Sequence, residues 1–196
     1  MKYDPNTHHR HSIRLPAYDY AQAGAYFVTI CTQNRECFFG QMNQGQMVPN
    51  GAGQLVESVW RQFPQAYPGV EVDAFVVMPN HVHGIIVLVG AGPRACPDTW
   101  RPHGAHLGQP QGVAPTNTLS LPDVVHRFKS LIAAKYRWGV RTDGWQPFTG
   151  RLWQRNYYEH IIRDEEELDR VRQYITDNPA GWQDDEENPE VWGSAL

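Results

Sequence analysis

Apolar and polar positions alternate in recognisable regimes along the chain. From Ala25 to Thr32, β-branched and aromatic residues run together (Ala-Tyr-Phe-Val-Thr-Ile-Cys-Thr) and predict a first strand. Leu55, Val56, Val59, Trp60 and Phe63 recur at helical spacing after Gly51 and Gly53, and Pro64 is expected to stop that helix. Val70–Val77 reads as a second strand. Pro79-Asn80 is a turn signal, and His81–Leu88 follows as an apolar hairpin partner. Ser120, ahead of Pro122 and Asp123, marks a second helix with Val124, Val125, Phe128, Leu131, Ile132 and Tyr136 on its apolar face. A fourth strand is expected from Leu152 to Ile162. Asp164 then opens a third helix that runs through Leu168, Val171 and Ile175 to a stop at Asn178-Pro179.

The order β-α-β-β-α-β followed by a helix predicts an α+β fold of the ferredoxin-like, split βαβ kind. Its antiparallel sheet would have the first and third strands at the centre. The His81 strand is apolar on both faces beyond its histidines, as a central strand requires. The expected organisation is an N-terminal arm over 1–20, one domain over 21–182 and an acidic tail over 183–196. Five glycines and five prolines within residues 90–118 predict a flexible insertion inside that domain.

The formal net charge of −4 conceals an asymmetry. Residues 159–196 hold 12 of the 21 acids and three basic residues, a balance of −9. Residues 1–158 carry 14 basic and nine acidic side chains, a balance of +5, which permits a phosphate-rich partner. Three cysteines (Cys31, Cys37, Cys96) without CxxC spacing disfavour both a disulfide framework and a cysteine zinc site. No stretch approaches the roughly 20 apolar residues of a membrane helix, and no signal-peptide pattern opens the chain. A cytoplasmic protein without a membrane partner is the expectation.

Candidate chemistry gathers at two places. His81 and His83 lie two apart on a strand, so both imidazoles point to one face, roughly 7 Å apart along the strand, and can converge on one divalent metal. On the third helix, Tyr174 and Asn178 sit at i and i+4 on the flank of the apolar stripe. A half-covered tyrosine hydroxyl there lies one turn from an amide oxygen able to ligate a hard cation. The competing reading makes Tyr174 a boundary residue and Asn178 a simple helix end.

His81-Val82-His83, Trp153–Arg163 and Gln173-Tyr174-Ile175-Thr176-Asp177-Asn178-Pro179 together resemble the HUH endonucleases. Within them the chain is most similar to the single-tyrosine transposases associated with repetitive extragenic palindromes (REP), over about residues 12–182. The resemblance implies a nuclease that cuts and rejoins single-stranded DNA near hairpins, as a monomer or a homodimer. It implies metal ligation by His81 and His83 and nucleophilic attack by Tyr174, leaving a 5′-phosphotyrosine and a free 3′-hydroxyl. Asn178 matches the place of a third ligand, where several relatives carry Gln. Mg²⁺ or Mn²⁺ is the expected ion.

Tyr157 and Tyr158 are rival nucleophiles on the fourth strand, with no ligand-like residue at matching spacing. His160 is a candidate to support the metal ligands from behind. Arg155 and Arg163, expected on one strand face, are candidates for phosphate contact with Arg127 and Lys129 of the second helix and Arg10 and Arg14 of the arm. Two other functions compete: a hairpin-binding protein without cleavage, and a zinc hydrolase, which needs a third strong ligand and lacks an HExxH.

Overall fold

The computed structural model describes residues 18–89 and 119–193. The elements are β1 (Gly24–Cys31), β2 (Gly40–Asn43), β3 (Gln46–Pro49), α1 (Gly51–Ala66), β4 (Val70–Val77), β5 (His81–Leu88), α2 (Leu121–Thr142), β6 (Tyr158–Ile162), α3 (Glu165–Asp177), a 3-10 segment (Asn178–Asp184) and α4 (Pro189–Gly193). Residues 90–118, most of the expected arm, and Arg10 and Arg14 with it, lie outside the described residues.

The main sheet has the order β4-β5-β1-β6, all pairs antiparallel, so the predicted ferredoxin-like arrangement is present with β1 and β5 at its centre. Every residue of β5 is buried, as a strand covered on both faces must be. One face packs against α1 and α2 through Tyr26, Val28, Ile30, Val82 and Ile86. The other packs against α3 through Phe27, Ile85, Val87, Leu168 and Ile175. Alternation along β5 therefore puts His81 and His83 on the α3 side. A register shift between Val72 and Phe75 in β4 releases Asp73, which pairs with Arg172 of α3 at 2.5 Å and fixes that helix over the sheet.

Gly84 has a packing reason to follow the histidines. A Cβ there would come within 2.6 Å of the Trp60 ring, which stacks on Phe75 at a centroid distance of 4.3 Å. The absent side chain lets the indole of α1 lie against the middle of the sheet.

Three expectations need correction. Helix α1 starts at Gly51 and ends at Ala66, with Pro64 inside it. Asn50 caps it by accepting from the amides of Ala52 and Gly53, and Pro64 falls in the last turn, where it removes one helical hydrogen bond and only Gln65 and Ala66 follow. The fourth strand begins at Tyr158, not Leu152. Lys129 Nζ donates to the carbonyls of Gln154 (3.1 Å) and Asn156 (2.9 Å), taking acceptors that a strand ladder would need. Arg155 is thereby on a connection and Arg163 beyond the strand end, so they do not share a strand face. The β2–β3 hairpin was not foreseen; Gln44 (φ 50°) and Gly45 (φ 75°) make its turn.

Candidate metal and tyrosine centre

The site is built around a polar hub at the β4–β5 turn. Asn80, fully buried, donates from Nδ2 to the carbonyls of Arg35 (2.9 Å) and Glu187 (2.7 Å), so its Oδ1 is the atom facing His81 Nδ1 at 2.9 Å. That oxygen only accepts, and His81 therefore carries its proton on Nδ1 and presents a bare lone pair at Nε2. His83 Nε2 lies 3.0 Å from it, while His83 Nδ1 is 2.8 Å from the Thr29 hydroxyl. With no cation between them, His83 donates from Nε2 to His81 and accepts from Thr29. Because a hydroxyl rotates, Thr29 can accept instead, and His83 Nε2 then becomes a second lone pair facing the same point.

A third acceptor arrives from the far end of the chain. Asp185 Oδ2 is 3.7 Å from His81 Nε2, and ligating atoms of His81, His83 and Asp185 all lie within 4.8 Å of one another. A lone pair and a carboxylate facing each other without a proton between them is an arrangement that a cation relieves. Asn178 lies close enough to lower the pKa of both Tyr174 and Asp185, and its Oδ1 is buried without a partner, a fourth acceptor at the same cleft. Two imidazoles, a carboxylate and an amide oxygen suit Mn²⁺ or Mg²⁺.

The electrostatics agree. Burial holds His81 well below the ordinary histidine value, with His83 and Arg35 adding to the effect, and burial brings His83 down to about 4. Both rings are neutral at pH 7, the form that ligates a metal. Burial also raises the Asp185 carboxyl. The Tyr174 hydroxyl is raised above its usual 10, first by burial and then by the Asp185 charge.

Tyr174 is 50% exposed and lies edge-on to His83 (5.4 Å between centroids) and Phe27 (5.8 Å). It lines a cleft of about 910 Å³ together with His83, Asn178 and Asp185. Of the rival tyrosines, Tyr158 lines this same cleft at 53% exposure, edge-on to Phe27. Tyr157 packs on the opposite side of the sheet, under Lys129.

His160 is not among the clustered ligands. Its Nε2 meets Glu167 Oε1 at 2.7 Å, and Glu167 also accepts from the Arg163 amide, so this pair ties β6 to the start of α3. The basic candidates do not converge on the cleft. Lys129 is engaged with backbone carbonyls, Arg127 stacks over Tyr67 on α2, Arg155 is exposed on the α2–β6 connection and Arg163 is exposed before α3.

The segment with the tail's acidic composition folds back onto the site. Trp182 stacks on His81 at 6.0 Å, Glu187 pairs with Arg35 at 2.5 Å, and Asn188 is buried, donating to the Trp182 carbonyl. Asp185 and Trp182 were missed by sequence reasoning. The signal available was a tryptophan and an Asn-Pro pair (Asn188-Pro189) within a stretch otherwise reading as solvated charge.

No family model matches the chain. An uncharacterized protein of Haemophilus influenzae is 39% identical over 185 residues, covering 94% of this chain and 96% of its own length. A predicted REP-associated tyrosine transposase of the same organism is 26% identical over 164 residues, covering 83% of this chain and 73% of its own. A solved REP-associated tyrosine transposase bound to a REP hairpin aligns over 86% of this chain and 73% of that one, with 19% identity and a TM-score of 0.48.

Proposed function

We propose that this chain acts as a REP-associated tyrosine transposase, the name carried by its 26% identical Haemophilus influenzae relative, and is a metal-dependent single-stranded DNA nuclease that cuts and rejoins DNA beside hairpins. The observation that carries the reading is the placement of the half-exposed Tyr174 ring against His83, beside the His81–His83–Asp185 cluster and in one cleft.

Each residue has a role in this proposal. His81, His83 and Asp185 hold the divalent ion, Mg²⁺ or Mn²⁺, and Asn178 contributes through its orphaned oxygen or by orienting Tyr174 and Asp185. When bound, the ion supplies charge neutralisation at the scissile phosphate and at the departing oxygen. Asn80 and Thr29 fix the ring orientations and proton positions that ligation needs. Tyr174 Oη loses its proton and bonds to phosphorus while the P–O3′ bond breaks. A 5′-phosphotyrosine and, after proton uptake, a free 3′-hydroxyl result. The covalent ester keeps the bond energy for rejoining.

The histidine–histidine–carboxylate set also favours a second reading, a metal hydrolase in which Tyr174 is a bystander. One experiment separates them. The protein is incubated with labelled single-stranded hairpins from DNA flanking its gene, with Mn²⁺ or Mg²⁺, and the products are resolved on a denaturing gel. The proposal expects a metal-dependent protein–DNA adduct that Tyr174→Phe and His81→Ala both abolish. Cleavage without an adduct, unaffected by Tyr174→Phe, would establish the hydrolase instead.

A further inference from the structure

Most of the cations among the described residues fall into two groups that behave differently. Arg35, Arg61, Arg170 and Arg172 all pair with carboxylates. Among the described residues, no carboxylate pairs with Arg127, Lys135, Arg137, Arg141, Arg151 or Arg155, and all six are exposed. These six belong to α2 and the connection after it. Residues 119–157 hold seven Lys and Arg against two acids, whereas residues 158–193 hold twelve acids against three Arg. Among the described residues, the exposed cations without a carboxylate ion pair thus gather on one stretch, Arg163 being the exception beyond it.

The second half of α2 adds an aromatic plate. Trp138 is 62% exposed, and Arg141 Cζ stands 5.6 Å from its ring centroid. Arg137 Cζ lies 5.2 Å from the centroid of Phe148. Arg137 and Arg141 are one helical turn apart, a like-charge pair that an isolated helix disfavours and an anion between them would relieve. Guanidinium groups laid over aromatic faces with their N–H edges outward are suited to phosphate, and an exposed indole is suited to stacking on a base.

The position matters as much as the chemistry. Helices α1 and α2 cover one face of the sheet and α3 the other, so the outer side of α2 looks away from the tyrosine cleft. The connection bearing Arg151 and Arg155 leads from α2 to β6, the edge strand, whose first residue, Tyr158, lines that cleft. A part of the substrate that does not enter the cleft can sit on α2 while its continuation reaches Tyr174 past this edge.

We infer that Arg137, Trp138 and Arg141, continued by Arg151 and Arg155, form the docking surface for the DNA hairpin itself. The arginines take phosphates of the stem, and Trp138 takes an unpaired base at the loop. The inference rests on the function proposed above and assigns the hairpin to the opposite side of the sheet from the chemistry.

The test is equilibrium binding of the full chain carrying Tyr174→Phe to a labelled DNA hairpin with a single-stranded tail, and to the tail alone. Replacing Arg137 and Arg141 by Gln and Trp138 by Ala is expected to weaken hairpin binding at least ~10-fold and to lower the salt slope by about 2. Binding of the tail alone and the melting temperature should not change. The double substitution Arg137→Lys with Arg141→Lys should restore most of the affinity. Unchanged hairpin affinity, an equal loss on the tail alone, or a loss seen only with the RNA version of the hairpin would overturn the inference. An adduct on Tyr174 with unchanged hairpin binding sinks the docking surface and leaves the nuclease. Loss of hairpin binding without any adduct does the reverse.

Discussion

The rings of Tyr174 and His83 lie 5.4 Å apart between centroids, tilted by 66°, although one is on α3 and the other on the central strand of the sheet. The Asp73–Arg172 ion pair from the β4 bulge, with Leu168 and Ile175 buried beneath, holds α3 in the pose that makes this contact. The hydroxyl is thereby carried to the lip of a cleft lined by His83, whose Nε2 lies 3.0 Å from that of His81 behind it.

Asp185 is expected to be a metal ligand. Asp185→Asn should weaken Mn²⁺ binding by about 10–100-fold, the range found when groups at a metal site are perturbed. Calorimetric titration of Mn²⁺ into the variant and the parent measures it. Equal affinities would show that the segment after α3 covers the site without ligating.

Acid should destabilise the metal-free protein through its buried histidines. In the folded state burial brings His83 down to about 4 and holds His81 well below the ordinary histidine value. Between pH 6.5 and 4 the unfolded chain therefore binds protons that the native state refuses. Stability is complete above 6.5 and falls as pH drops, by about 3 kcal/mol for His83 alone. Urea midpoints in chelator across this range should fall in the parent and fall less in His83→Gln. Parallel pH profiles would contradict it.

Gly84→Ala should cost about 1–3 kcal/mol, because the new methyl meets the Trp60 ring at 2.6 Å and the indole is stacked on Phe75. Denaturant unfolding reads the loss directly. A variant as stable as the parent would mean that Trp60 shifts freely, and the tight packing described here would be wrong.

Local pattern made much of this fold legible, and distance in sequence hid the rest. β-branched and aromatic runs marked β1, β4 and β5, and the two-residue spacing of His81 and His83 put both rings on one face, where they are found. The i, i+4 spacing likewise placed Tyr174 and Asn178 together at the cleft. Asp185 could not be read in the same way. Its meeting with His81 spans most of the domain, and its acidic neighbours give a composition indistinguishable from a solvated tail. Strand β6 was read too long because Leu152 and Trp153 are apolar for another reason. They are buried in the α1–α2 core, and the Lys129 ammonium claims the carbonyls that follow. The β2–β3 hairpin has few apolar residues, and only its Gln44-Gly45 turn signals it.

Tyr158 shares the cleft with Tyr174 at nearly equal exposure, so the identity of the nucleophile is the most direct test of the account. The DNA-linked protein formed with Mn²⁺ should be digested and the modified peptide sequenced by mass spectrometry. The account predicts a single 5′-phosphate ester on Tyr174, lost in Tyr174→Phe and retained in Tyr158→Phe. An ester on Tyr158, or an adduct that survives Tyr174→Phe, would contradict it.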